Sequence, residues 1–155
     1  MAEHGKDSMQ FSLERIYLKD VSYEAPAVPA VFTQQLNPQL NIQIGISHGV
    51  LSEAQGIHEV VLAVTASAKN GDKTIFLVEI HQAGLFRVTG ATGEVLAKTL
   101  EIACPYILLP FAREAVNDFV SKGGFPQLLL NPINFEALYD QKQAALKQPT
   151  PATPH

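Results

Sequence analysis

Three carboxylates are the side chains in this sequence best placed to do chemistry. The run IYLKDVSYEAP, Ile16–Pro26, reads as the end of a β-strand whose side chains alternate between two faces. Asp20, Ser22 and Glu24 fall on one face, Val21 and Tyr23 on the other, and Pro26 closes the run. Glu79, in a later strand, can join the acidic face. Carboxylates that share a site can move protons, and an exposed acidic row can dock a basic partner. The catalytic version lacks a neighbouring nucleophile or metal ligand, and three unrelated solvated charges are the plain alternative. Docking is therefore the chemistry these residues favour, and no catalytic residue is assigned.

The other reactive side chains are scattered. His4, His48, His58, His81 and His155 have no metal-ligand spacing, and Cys104 is the single cysteine. No metal and no cofactor are expected. Cys104 lies in the apolar run Ile102–Leu109 and reads as buried and inert. His58 and His81 sit on strands and read as packing or exposed residues. Gly84, Gly90 and Gly93 do not form a nucleotide-binding pattern and read as turn glycines. Arg113 and Glu114 read as a solvated or interface pair. A site assembled in space from distant residues stays open.

Composition narrows the class. At 155 residues the chain suits one domain and can bury a core without disulfides or metal. Its residues are 46% hydrophobic and only 17% charged, against about a quarter charged in ordinary soluble domains. That deficit implies further surface buried in a self-association, in a groove for another chain, or in both. The net charge of −4 and the lack of any Lys/Arg run argue against nucleic acid. There is no basic-flanked apolar N-terminus and no uninterrupted run near the roughly 18 apolar residues of a membrane helix. A cytoplasmic protein without membrane insertion is the expectation.

The elements that position the carboxylates follow from periodicity. Residues 1–9 are polar and expected to fray; residues 10–147 form one domain; 148–155, with three prolines, is expected to be a disordered tail. Phe11–Glu24 is a long strand whose apolar phase slips twice, from Phe11/Leu13 to Ile16/Leu18 to Val21/Tyr23. A bulge, or burial of different parts on different faces, explains such slips. Ala25–Gln39, with Pro26, Pro29 and Pro38, is a long loop that carries Val28, Val31, Phe32 and Leu36, so it should cross the sheet and pack. Leu40–Ile46 is the second strand, Ile57–Ala68 the third and Thr74–Gln82 the fourth.

The turn Lys69-Asn70-Gly71-Asp72 sets the register of the last two. A two-residue Asn-Gly loop would pair Val64 with Leu77. A three-residue loop, Lys69–Gly71, pairs Val64 with Phe76, Leu62 with Val78 and Val60 with Ile80, which gathers one apolar face. We favour the second, with Gly71 left-handed. It leaves Leu77 and Glu79 on the opposite face, like Asp20 and Glu24. Gly84–Gly93 reads as a separate short extended segment. A helix starts at Glu94, Pro105 breaks it, and Pro110 opens another that ends at Gly123. Gly124–Asn134 is a loop, and Asn134 caps a last helix. Strands followed by helices give an α+β fold: a four-stranded antiparallel sheet with a long crossover loop and C-terminal helices on one face.

Three stretches carry a specific likeness. RIYLKDVSYEAPAVPAVF (Arg15–Phe32), CPYILLPFARE (Cys104–Glu114) and GGFPQLLLNPINFEALY (Gly123–Tyr139) closely resemble SecB, the bacterial protein-export chaperone family. The likeness runs from about Met9 to about Leu146. It implies a cytoplasmic homotetramer, a dimer of dimers, that binds unfolded precursor proteins without nucleotide and hands them to the SecA ATPase. It implies that Asp20, Glu24, Leu77 and Glu79 receive the basic, zinc-bearing C-terminal segment of SecA. It implies that Val78, Ile80 and Gln82 affect the tetramer and helix packing. The client groove is expected between the crossover loop and the last helix, with Tyr23, Val28, Phe32, Leu36, Phe135, Leu138 and Tyr139 as its candidates. The residue-level alternatives are a small-molecule-binding or enzymatic α+β domain, and a purely structural oligomer or a chaperone for another pathway.

Overall fold

The first strand resolves its slipping pattern by bulging. In the computed structural model, which describes residues 8–147, β1 spans Gln10–Glu24 and pairs antiparallel with β4, Lys73–Thr89. The register shifts between Leu13 and Arg15 and again between Leu18 and Asp20. Each extra residue returns the next apolar pair to the same face. Phe11, Leu13, Ile16, Leu18, Val21 and Tyr23 therefore share the side that carries the helices. The expected fraying of residues 1–7 and the tail 148–155 lie outside the described residues. Ser8 and Met9, expected to fray with them, lie against Gly90, and Thr99 Oγ1 donates to Met9 Sδ at 3.9 Å.

β2 is Gln39–Ser52 and β3 Ile57–Asn70, and the sheet order is β1-β4-β3-β2. The long loop thus carries the chain from one sheet edge to the other, as its length requires. It is pinned by Val31 in the turn Ala30–Thr33, which is buried in the core.

The β3–β4 register differs from the expected one. Val64 pairs with Ile80, Leu62 with Gln82 and Val60 with Gly84, four residues further along β4. Asn70 pairs with Lys73, so Gly71 and Asp72 alone make the turn, with Gly71 left-handed at φ 62°. An irregularity between Ala68 and Lys69 shifts the pairing once more. The total displacement is even, so every side chain keeps its expected face. β4 also runs straight through Gly84 instead of ending before it. A Cβ there would lie 2.8 Å from the Phe86 ring and 3.1 Å from Leu108, so this glycine serves close helix packing, not a turn.

The helices correct two further expectations. Pro105 breaks nothing: α1, Gly93–Lys98, continues through a π-helical turn, Thr99–Ala103, into α2, Cys104–Lys122. Pro105 directly follows the π turn, whose wider hydrogen-bond spacing accommodates a residue without an N–H inside the continuous helix. Pro110 lies inside α2, where it forfeits a hydrogen bond. Burial of Leu108, Leu109 and Ala112 around it offsets that loss. The continuous helix is 30 residues long, enough to span a bilayer, but its apolar side faces the sheet. Gly123 follows its last residue, and Gly124 takes the left-handed conformation at φ 89°.

α3 spans Phe135–Lys147, and Asn134 Oδ1 accepts from the Ala137 amide at 3.0 Å, the expected cap. The core lies between one sheet face and α2. Val60, Leu62, Val64, Val78, Ile80 and Phe86 meet Leu108, Ala112, Val116, Val120 and Phe135 there, all without exposure. The architecture is α+β.

Candidate interaction surfaces

On the sheet face away from the helices, β1 and β4 align the acidic residues. Glu24 lies opposite Leu77, Ser22 opposite Glu79, and Asp20 opposite His81. Asp20 and Glu24 are exposed, and Leu77 and Glu79 are half-buried. The four residues expected on one face are thus brought together on it. His81, which reads from the sequence as a packing or exposed residue, lies at the Asp20 end of this surface, with Nε2 2.8 Å from Glu79 Oε1. Its odd position in β4, matching Leu77 and Glu79, was the available signal. Along the same face Lys19 Nζ donates to Glu59 Oε1 at 2.6 Å, and Tyr17 donates its hydroxyl to Glu59 Oε2. Those bonds hold the Glu59 carboxyl below its ordinary range; burial and the same bond push the Tyr17 phenol up to about 12.

The other face has an apolar cavity of about 390 Å³ at the end of the sheet where the crossover loop passes. Leu36, Pro38 and Leu40 form one side, Ala68, Ile75 and Phe76 the floor, and Phe125–Leu128 the other side. Three rings run beside it: Phe32 to Phe125 at 5.4 Å, and Phe125 to Phe76 at 5.2 Å. Gly124 makes this possible, since a Cβ there would meet the Phe32 ring at 3.0 Å. Phe32 is 52% exposed and Val28 39%.

This is a different second wall from the one expected. Phe135 is fully buried, edge-on to Tyr106, and presents no surface. Leu138 and Tyr139 line a separate cavity of about 250 Å³ with Ile44, Ile46, Glu101 and Lys142. The reason is where α3 docks: Lys142 Nζ donates to the buried Glu101 at 2.8 Å, which holds α3 over the π turn. Tyr23 also turns away from the cavity. Its ring stacks on Phe119, its buried hydroxyl has no hydrogen-bond partner, and burial raises its pKa. Phe76 and Phe125 are wall residues that the sequence reading missed. Phe76 reads as core, and Phe125 lies in a stretch without periodicity.

Val78, Ile80 and Gln82 point into the core, and Gln82 Nε2 donates to the Tyr17 carbonyl at 3.1 Å. Cys104 is fully buried, and burial pushes its thiol up to about 12, so it is inert at neutral pH. Among the described residues, no group of three or more His, Cys, Asp or Glu is placed to hold a metal ion.

The family profile described as preprotein translocase subunit SecB matches residues 4–146. The chain belongs to the SecB family. The protein-export protein SecB of Nitrosococcus oceani is 49% identical over 144 residues, which are 92% of this chain and 86% of that protein. The SecB of Methylococcus capsulatus is 47% identical over 154 residues, 99% of this chain and 98% of its own. A SecB-like chaperone of Mycobacterium tuberculosis, solved with a peptide from an antitoxin, aligns with a TM-score of 0.67. That alignment covers 79% of this chain and 90% of the other at 16% identity, a likeness of fold. SecB is a protein-export chaperone and not an enzyme. The acidic row and the aromatic-walled cavity of this chain lie on opposite sides of one sheet.

Proposed function

We propose that this chain binds unfolded precursor proteins in the cytoplasm as a homotetramer, keeps them competent for export, and delivers them to SecA. The observation that carries the reading is the division of the sheet. One side offers an apolar cavity walled by Phe76 and Phe125, with Phe32 beside it; the other offers Asp20, Glu24, Leu77 and Glu79. A client can thus be held while the acidic face engages a basic motor segment.

Unfolded clients expose apolar side chains, each worth about 1.5–3 kcal/mol on full burial before ordering costs. One cavity of this size takes only one or two such groups. Several copies in one assembly multiply weak contacts, so avidity replaces sequence specificity. Assembly would also cover apolar side chains that one chain leaves exposed, among them Phe11, Leu13 and Leu18 on β1 and Tyr106 and Phe111 on α2.

Two measurements test the reading. Near-stoichiometric protein should delay refolding of a slow-folding precursor; the absence of any delay with several precursors would sink the chaperone role. A pull-down should retain SecA and lose it when the C-terminal segment of SecA is deleted. Retention of clients without SecA would point to another pathway.

A further inference from the structure

His81 stands at the Asp20 end of the acidic row, where the pairing of β1 with β4 and one side-chain contact fix its place. Its backbone lies directly opposite Asp20, and its ring nitrogen contacts the Glu79 carboxylate at 2.8 Å. Its side chain is 31% exposed, so it meets solvent and any docked chain. The groups around it on every neighbouring strand are few. β3 offers Ala63 and Thr65, which do not titrate. β1 offers Asp20, Ser22, Tyr17 and Lys19; Tyr17 and Lys19 are both committed to Glu59. β4 itself offers Glu79 and the uncharged Ala83. Carboxylates are therefore the uncommitted charges facing His81.

We propose that His81 sets the charge of this docking face, so that its protonation weakens the capture of a basic partner segment. The inference rests on the reading of the face as the SecA site. Histidine is the side chain that changes charge between pH 5 and 8. With a neutral His81, the face presents Asp20, Glu24 and Glu79 to a cation. With His81 protonated, the imidazolium lies against Glu79 on the strand facing Asp20 and removes one net negative charge from the face. Docking of a basic segment and protonation of His81 thus oppose each other, and by linkage each weakens the other equally. A client-loaded chaperone would hold its motor partner more firmly in neutral than in acidified surroundings.

The test is the affinity of the full-length assembly for the C-terminal segment of SecA at fixed low ionic strength, from pH 8 to pH 6. The wild-type affinity should fall about three- to tenfold on acidification. His81→Gln, which keeps a hydrogen-bonding group beside Glu79 but no charge, should flatten that dependence. His81→Lys should show the acid-weakened affinity already at pH 8. Titration within the SecA segment is common to all three proteins and drops out of the comparison. Equal pH slopes for wild type and His81→Gln overturn the role of His81. If charge reversal at Asp20 and Glu79 leaves the affinity intact at pH 8, the docking reading itself falls. Assembly size and thermal midpoint confirm folding, with His81→Asn in reserve should the glutamine variant misfold.

Discussion

Lys142 on α3 donates a 2.8 Å hydrogen bond to Glu101, a carboxylate that is only 11% exposed. His48 on β2 stands 3.7 Å from the other oxygen of the same carboxylate. One buried charge thus joins the edge strand, the π turn and the last helix. Lys142→Met should destabilise the fold by about 1–3 kcal/mol, the range for a hydrogen bond to a charged group, reduced by the exposure of the lysine. Hydrogen exchange should rise first in residues 135–147. Adding Glu101→Gln should restore part of the loss, because the unpaired buried charge is then gone. Chemical denaturation of the three variants measures this.

Gly123 is required by space and not by backbone conformation. Its φ of −73° suits any residue, but a Cβ there would lie 1.8 Å from the Tyr23 hydroxyl. Gly123→Ala should therefore destabilise by about 1–3 kcal/mol as an overpacked site. Tyr23→Phe alone should be neutral or stabilising, since it removes a buried hydroxyl without a partner. Combined, the two should cost less than Gly123→Ala alone, a coupling that a double-mutant cycle in denaturant would read.

Phe125 touches both Phe32 and Phe76. Phe125→Ala should weaken client retention about tenfold while SecA binding is kept, given the value of burying one large apolar group. A refolding-delay assay checks it. Phe135→Ala should instead lower stability by about 3–5 kcal/mol, because Phe135 is core and not groove.

Charge reversal at Asp20 and Glu79 should weaken SecA binding at low salt by more than tenfold, with the difference shrinking as salt rises. Both side chains lie on the face away from the core, so assembly size and client binding should be unchanged. Binding titrations at two ionic strengths separate these outcomes.

His58 is buried, and burial together with nearby His48 lowers its pKa. Below the ordinary histidine range the unfolded chain then binds a proton that the folded chain resists. The folded state loses stability as pH falls through that range, and the contribution is fully present above it. His58→Gln should make unfolding free energy less dependent on pH between 7 and 5. Glu59 acts in a lower window: Lys19 and Tyr17 depress its pKa, so its stabilisation is present above the ordinary carboxylate value and fades below it.

The faces of the sheet were legible because strand side chains have period two. Phe76, Val78 and Ile80 against Leu77 and Glu79 survive a four-residue error in register, since parity is unchanged. The slips in β1 were legible for the same reason. Helix boundaries at Pro105 and Pro110 were not, because packing of Leu108 and Ala112 on the sheet outweighs the local preference of proline. The second wall of the cavity was hidden too. Phe125 lies in an aperiodic stretch, and where α3 settles depends on Glu101 and Lys142, which lie 41 residues apart.

The two bulges of β1 have one more consequence. The residues left out of pairing are Glu14 and Lys19, and both are charged. Each reaches a partner on the open face: Glu14 accepts from Arg87 Nε at 2.8 Å, and Lys19 donates to Glu59 at 2.6 Å. A chaperone that keeps sticky, extended polypeptides within reach runs a particular danger at a sheet border fifteen residues long. A flat, uncharged border would recruit strand after strand, its own kind included, into a growing fibre. Interrupted ladders and tethered ions make this border a poor template for endless stacking.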